Sequence, residues 1–453
     1  MIPSPFRPRA LSAFAALALF LRPAAAAHVD LVAGPMVGHV TENSARIWMQ
    51  FPIAGQVGIN VIDARTNQTV SGVKVDLEGP SPFACDVPVN NLQPDRSYRL
   101  EVKFEGDPVT LPAPDLVIRT APSPGDESPL TIAFGSDIAP PPPGAAKGPA
   151  ALFKAVTDLK PRAFFFLGNV GYLPPSLNQF PTTRRAAYRF ICDLHDSIRR
   201  EPFLQPLFRT TPSYGLFNDR DFGTLDADQS FPFAQESLIA YQKFWPNPDW
   251  GTPQTPGCFS ICTFGDVDFF LLDTRTYRTP SSSAATQPAA SALLGPGQLD
   301  WLKKCLLASR ASFKVLAAPC PLFSDEPDSW SHFPAEQPPF LRWLGDHHIS
   351  GILALAGNRP AGELTRVDPP RAAGVLYPLF TLGTSTLTDI PGRAPPALLP
   401  NPQRLARPVL QNNFGTLDFG GQREHRLVTL RLRDESGKTR LEQILYASQL
   451  RAP

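Results

Sequence analysis

Residues 161–172 read PRAFFFLGNVGY. Five unbroken apolar residues, 163–167, stand between Pro161 and Gly168, and the run ends at Asn169. A run this short, apolar throughout and bounded by turn residues, predicts a β-strand buried on both faces. The same reading applies to LTIAFGSD (130–137), VDFFLLDTRTY (267–277), FKVLAAPCP (313–321) and GILALAGNRP (351–360). Helical stretches fall among them: GPAALFKAVTDL (148–159) and GPGQLDWLKKCLLAS (295–309). Strands alternating with helices predict an α/β sandwich. NNFGTLDFG (412–420), HRLVTLRLRDESGK (425–438) and RLEQILYA (440–447) read as closing antiparallel strands with a Gly turn. Pro-rich loops interrupt this part at 138–148, 279–298 and 390–409.

Upstream, residues 28–122 read as all-β. Seven short alternating stretches separated by turn residues suggest a sandwich: DLVAGPMVGHV, SARIWMQF, QVGINVIDA, GVKVDLE, ACDVPVN, SYRLEVKF and DLVIRT. Leu92 and Tyr98 in NLQPDRSYRLEV resemble a fibronectin type III corner, and Trp48 reads as a core residue. His39 reads as a turn or surface residue. SPGDESP (123–129) is a polar linker. Residues 1–27 carry Arg7 and Arg9, then LSAFAALALFL, then AAAA, the three-part pattern of an export signal. The expectation is a periplasmic or extracellular protein with no transmembrane segment.

Six cysteines follow: Cys85, Cys192, Cys258, Cys262, Cys305 and Cys320. Export would permit disulfides, but spacing does not assign pairs. Cys258 and Cys262 lie in GCFSICTFGDVDFF, read as one strand, where residues four apart sit roughly 13 Å apart and cannot bond without a turn. Lys and Arg total 42 against 41 Asp and Glu, so the chain lacks the basic excess of a nucleic-acid binder. Proline is abundant, 53 of 453 residues, yet 43% of the chain is hydrophobic, which excludes a disordered Pro-rich protein. No GxSxG elbow, P-loop or dinucleotide fingerprint is present.

Each buried strand ends in a polar cluster: Asp137, Asn169, residues 218–223 (NDRDFG), Asp273 with Arg275, and Asn358. Ligand and catalytic groups of α/β folds collect at such strand ends. On these clusters, together with GPMVGHVTENSARIW, LLDTRTYR, LLGPGQLDWLKKCL, Asp328–Trp330 and NNFG, the chain resembles the PhoD-like alkaline phosphatase family. The resemblance implies a fibronectin III-like β-sandwich (28–122) followed by an α/β metallophosphoesterase-like domain (130–450), an α+β multidomain chain. It also implies iron and calcium as cofactors and phosphomonoester or phosphodiester hydrolysis as the reaction.

The motifs depart from the family pattern. Asp137 stands where the first motif binds metal. FLGNVGY has Asn169 in place of the metal-bridging Asp and keeps Tyr172. FNDRD puts Asn218 for Asp and Arg220 for His, and keeps Asp219 and Asp221. AGNRP has Asn358 for Asp and Pro360 for His. An amide keeps the shape of a carboxylate but not its charge, and a guanidinium does not ligate metal. The expectation is a pseudo-phosphatase with a weakened or lost two-metal centre. Two alternatives stay open. Asp137, Tyr172, Asp219 and Asp273 could hold one metal, leaving a weak phosphoester hydrolase. Or Arg220, Arg275 and Arg359 could cradle a phosphate or phosphoester without chemistry. In the plainest reading Arg220 pairs with Asp137, Asp219 or Asp221 and rigidifies a dead site around Asp221 and Arg275. No protein partner follows from the sequence. The run APPPPG (139–144) would border the cleft as a stiff spacer.

Overall fold

The computed structural model describes residues 29–79, 82–111, 114–139, 149–280, 290–326, 328–369, 374–388 and 400–451. The export-signal reading of 1–27 and the proline run 140–143 fall outside them.

The N-terminal part is a sandwich of two sheets. One joins β1 (Ala33–Val40), β2 (Ala45–Phe51) and β5 (Phe83–Val89). The other joins β4 (Thr69–Leu77), β3 (Gly55–Asp63), β6 (Ser97–Phe104) and β7 (Asp107–Pro108), with β8 (Val117–Arg119) also on β6. Alternation along β6 buries Tyr98, Leu100, Val102 and Phe104 on one face, as a half-buried strand must. The Tyr98 hydroxyl accepts the Gln93 N–H at 2.8 Å beside buried Leu92, so the expected corner forms.

The second part stacks two six-stranded sheets. The first runs β11 (Ser213–Leu216), β10 (Ala163–Leu167), β9 (Leu130–Gly135), β20 (Asn413–Gly420), β21 (Leu427–Asp434), β22 (Thr439–Tyr446). The second runs β14 (Ser260–Phe264), β15 (Val267–Leu271), β16 (Phe313–Ala318), β17 (Ile352–Ala356), β19 (Leu379–Gly383), β18 (Glu363–Val367). β9, β10 and β11 pair in parallel, as do β15, β16, β17 and β19. Parallel neighbours need crossovers: α1 (Ala150–Asp158), α2 (Arg184–Arg199) and α3 (Gln205–Thr210) supply them in the first sheet, α4 (Asp219–Phe222) and α5 (Ala234–Phe244) lead from β11 to the second, and α6 (Gly295–Ala308) and α7 (Gln337–Asp346) cross within it. A two-residue hairpin, β12 (Gly251–Thr252) with β13 (Thr255–Pro256), precedes β14. The sheets meet through rings: Phe165 of β10 stacks on Phe269 of β15 at 4.8 Å, and Phe419 of β20 lies 5.3 Å from Phe313 of β16. On the outer side Phe166 packs on Trp245 and Phe208.

Two sequence readings are corrected. GCFSICTFGDVDFF is a hairpin, not one strand; Gly265 turns it at φ +61°, where a Cβ would lie 2.3 Å from the Asp126 carbonyl oxygen. His39 is not a turn or surface residue: it sits in β1 with Nδ1 3.2 Å from the Tyr214 hydroxyl of β11. Trp48 is a core residue, as the sequence suggests, and it also serves the junction: its Nε1 donates to the Lys243 carbonyl at 2.7 Å and its ring meets Phe244. Arg46, donating to the Asn247 carbonyl at 2.8 Å, extends the same junction. All six cysteines are unpaired. Among the described residues no helix is long and apolar enough to cross a membrane.

Candidate functional site

The polar clusters of the sequence gather at the carboxyl ends of the parallel strands. Asp137 and Asn169 come two residues after β9 and β10, and Asn358 two residues after β17. All three adopt left-handed backbone, with φ of 64°, 54° and 53°. Asp and Asn tolerate this conformation better than other non-glycine residues, which lets each chain turn sharply out of its strand. Gly168 is required here: at φ +91° its added Cβ would lie 2.6 Å from the Asn218 Cβ.

Asp137 is buried and ringed by donors. It accepts from the Ser136 hydroxyl at 2.7 Å, the Tyr172 hydroxyl at 2.7 Å and Asn169 Nδ2 at 3.2 Å. The Asn169 Oδ1 in turn accepts the Arg220 N–H at 3.1 Å, so both ends of this amide are used in one orientation. Ser136 Oγ accepts the Asn358 N–H at 2.8 Å and ties the third strand end to Asp137.

Asp221 works as a backbone clasp. It accepts the N–H groups of Val170 at 2.6 Å, Asn218 at 3.0 Å and Asn169. Burial raises its carboxyl to about 8, against the pull of those three amides toward the ionised form. Asp219 is buried; its Oδ2 accepts the Asp226 N–H at 3.0 Å, while its Oδ1 has no hydrogen-bond partner. Asn218 Nδ2 is likewise buried without a partner.

The arginines do different work. Arg220 donates from Nε to the Leu173 carbonyl at 2.7 Å and lies over the Tyr172 ring, 5.2 Å from its centroid. It makes no ion pair with Asp137, Asp219 or Asp221 among the described residues, so it is not the latch on those carboxylates that the plainest reading expects. Arg275 is fully buried. It donates from Nε to Asn218 Oδ1 at 2.8 Å, from Nη1 to the Ala227 carbonyl at 3.3 Å and from Nη2 to Asp328 at 3.1 Å. Burial alone would lower this guanidinium, but Asp328 and then Asp219 more than offset it. Arg278 pairs with the other oxygen of Asp328 at 2.5 Å.

Two predicted positions lie in neighbouring clusters. Asp273 accepts from the N–H groups of Cys258, Arg275 and Thr276 and from the Thr276 hydroxyl, so both its oxygens hold the turn after β15. Arg359 is engaged by Glu363 at 2.9 Å and by Glu326, and Pro360 beside it has no side-chain donor or acceptor. Glu326 is raised to about 7, by burial first and by Glu363 beside it. Ser136, Arg278, Glu326 and Glu363 were not singled out from sequence. Ser136 was legible within FGSD, Arg278 within LLDTRTYR and Glu363 four residues after Arg359, whereas Glu326 reaches Arg359 from a distant segment.

The donor set can be tested against a two-metal centre. Such a centre needs carboxylates and imidazoles whose lone pairs face a common point. Here the lone pairs of Asp137 and Asp221 face hydroxyl, amide and backbone N–H groups, and Asn218 Oδ1 faces a guanidinium. Among the described residues no group of three or more His, Cys, Asp or Glu is arranged to hold an ion. The residues present do not fit a pair of metals.

The model of the PhoD-like phosphatase family matches residues 224–375, and that of a domain of unknown function, DUF7800, matches 28–122. Asn358 lies inside the first match; Asp137, Asn169 and residues 218–221 precede it. The fold is similar to a solved structure of PhoD, with TM-score 0.72 and 17% identity over 94% of this chain and 90% of that one. It is also similar to purple acid phosphatase PPD1 from yellow lupin (Lupinus luteus) seeds, with TM-score 0.62 and 12% identity over 91% and 74% of the two chains. No curated protein sequence matches. Residues 224–375 thus match the PhoD-like phosphatase family model, and the chain shares the fold of PhoD and of purple acid phosphatase, with a β-rich N-terminal domain.

Proposed function

From that partial family match and shared fold we propose that this chain is a pseudo-phosphatase: a PhoD-like protein in which metal-dependent phosphoester hydrolysis is weakened or lost. One observation carries the reading. Asn169 donates to Asp137 at 3.2 Å, at the position where the family resemblance implies a bridging carboxylate. Two carboxylates at that distance need a cation or a proton between them; an amide and a carboxylate need neither. The strand ends therefore close on themselves through hydrogen bonds. Without a bound metal there is no activated hydroxide and no Lewis acid for the phosphoryl group.

The test is elemental analysis of the purified protein before and after incubation with Fe³⁺ and Ca²⁺, paired with phosphomonoesterase and phosphodiesterase assays. The expected result is metal well below one equivalent and turnover at the buffer background. Stoichiometric metal with turnover typical of metal-dependent enzymes would overturn the reading.

A second reading rests on Asp219, whose buried Oδ1 lacks a partner. That oxygen suits a single cation and, with it, slow hydrolysis. Asp219→Ala would then abolish both metal content and activity, whereas the pseudo-phosphatase reading expects neither to change. We further infer that residues 1–27 direct export, which N-terminal sequencing of protein recovered outside the cytoplasm would check.

A further inference from the structure

A second charged cluster joins three segments distant in the chain, next to the end of β17. Arg359 follows Asn358 directly and is buried. Its Nη2 pairs with Glu363 Oε1 at 2.9 Å and with Glu326 Oε2. One guanidinium nitrogen thus holds two buried carboxylates from different segments, which sets them against each other. The second oxygen of Glu363 accepts from Arg404 Nε at 2.8 Å. The second oxygen of Glu326 accepts from Asn401 Nδ2 at 2.8 Å, and Ser324 Oγ donates to the first at 3.2 Å. Asp325 beside it takes Gln403 Nε2 at 3.2 Å and gives its N–H to Gln403 Oε1 at 3.1 Å.

Asn401, Gln403 and Arg404 belong to a strap, residues 400–409, that runs along β18, the last strand of the second sheet. The strap is not a strand of its own; a few backbone bonds hold it. Leu405 N–H donates to the Leu364 carbonyl at 2.9 Å, Arg366 N–H to the Gln403 carbonyl at 2.9 Å, and Gly362 and Val409 exchange two bonds at 2.8 Å. Its side chains supply the rest of the grip, and they end on the carboxylate cluster. Two residues beyond Glu326, Asp328 holds Arg275 and Arg278. Strap, carboxylates and the wall of the strand-end site are therefore one connected network.

We propose that Glu326 and Glu363, gathered on Arg359, form a proton-held latch that fastens the 400–409 strap to β18 and to the wall of the strand-end site that carries Asp328. Two buried carboxylates on one nitrogen repel each other, and one proton shared between them removes the repulsion while Arg359 and Arg404 stay paired. Burial, and then Glu363, raise Glu326 from 4.5 to about 7. Burial alone would raise Glu363 too, but Glu326, Arg359 and Arg404 more than offset it, so the proton rests on the Glu326 side. The other charged groups facing the pair are Asp325 and the His332 imidazole, whose Nε2 lies 3.1 Å from the Glu326 carbonyl oxygen. The fastened latch keeps a proton that the open one gives up between pH 4.5 and 7. Opening therefore becomes easier as pH rises through about 7. The latch does not depend on whether hydrolysis at the strand ends is lost.

The experiment is amide hydrogen exchange of the full chain between pH 6 and pH 8, read at Leu405 and Val409 and corrected for the intrinsic exchange rate. Protection of both amides is expected to fall about tenfold over this interval, while amides of β16 keep theirs. Glu326→Gln keeps the shape of the neutral carboxyl and is expected to show no fall. Glu363→Gln removes the second carboxylate and is expected to move the fall below pH 6. His332→Asn is expected to leave the fall in place. If Glu326→Gln does not fold, Glu363→Gln carries the test. Constant protection in the parent overturns the proposal. So does a fall that persists in Glu363→Gln, one that disappears in His332→Asn, or an equal fall in β16, which would mean that the whole domain loosens rather than the strap.

Discussion

Arg275 Nε donates to Asn218 Oδ1 at 2.8 Å, so a permanent positive charge is fixed against a residue that stands where the family resemblance implies a metal-binding aspartate. The same guanidinium reaches Asp328 on one side and the Ala227 carbonyl on another, joining the β11 and β15 strand ends to the loop before the η turn at Trp330–His332. Truncation to Arg275→Met strands the Asn218 oxygen in the interior and leaves Asp328 with Arg278 alone. The expected loss is about 2–4 kcal/mol in urea denaturation. Arg275→Lys is expected to recover less than half, because a single ammonium does not span the three acceptors. Equal stability of the lysine variant and the parent would show that charge alone, without the fork, holds this junction.

Asn169→Asp asks whether the hydrogen-bonded closure of the strand ends depends on the amide. The substitution sets a second carboxylate against Asp137 across a contact that is now 3.2 Å. The variant is expected to lose about 1–3 kcal/mol at neutral pH, and to lose less in acid, where one carboxyl carries a proton. Millimolar calcium or manganese is expected to raise the melting temperature of this variant and leave the parent unmoved. A variant as stable as the parent and indifferent to metal would mean that the contact between the two side chains is unimportant.

Much of this architecture is legible in the residues. Strands buried on both faces announce themselves as short apolar runs, and 163–167, 315–318 and 352–356 are such runs. The hairpin at 260–271 is not, because Gly265 and Asp266 interrupt an apolar texture too briefly to mark a reversal. At the site, Asp137, Asn169, Tyr172 and 218–221 could be grouped because each follows a strand. What could not be read is direction: that Arg220 turns to the Leu173 carbonyl, Arg359 to Glu326, and Arg275 to Asn218. Those partners are chosen by packing between segments distant in the chain. The domain junction is hidden for the same reason, since Trp48 meets Lys243 across 195 positions.

That junction should respond to loss of a single donor. Trp48→Phe keeps a ring against Phe244 but removes the 2.7 Å bond to the Lys243 carbonyl. The expected cost is about 1–2 kcal/mol, with the carbonyl left without its donor. Limited proteolysis between residues 123 and 129 is expected to quicken in the variant, because the two parts separate more often. Unchanged cleavage with lowered stability would place the damage inside the sandwich instead.

His39 makes the junction sensitive to acid. Burial, and then the nearby Arg46, lower its pKa from 6.5 to about 4 in the folded protein. Between those values the unfolded chain takes up a proton that the native chain refuses. Stability therefore rises with pH across that window and is lost as pH falls from 6.5 toward 4. The effect is on the order of 2 kcal/mol once partial solvent exposure is allowed for. His39→Asn keeps a polar group near the Tyr214 hydroxyl but does not titrate there, so its stability curve should be flatter over the same interval. Above pH 7 the two proteins should differ by a constant offset, because neither side chain changes charge. A parent whose urea midpoint falls no faster than that of His39→Asn between pH 6.5 and 4 would mean that His39 accepts its proton without leaving the junction.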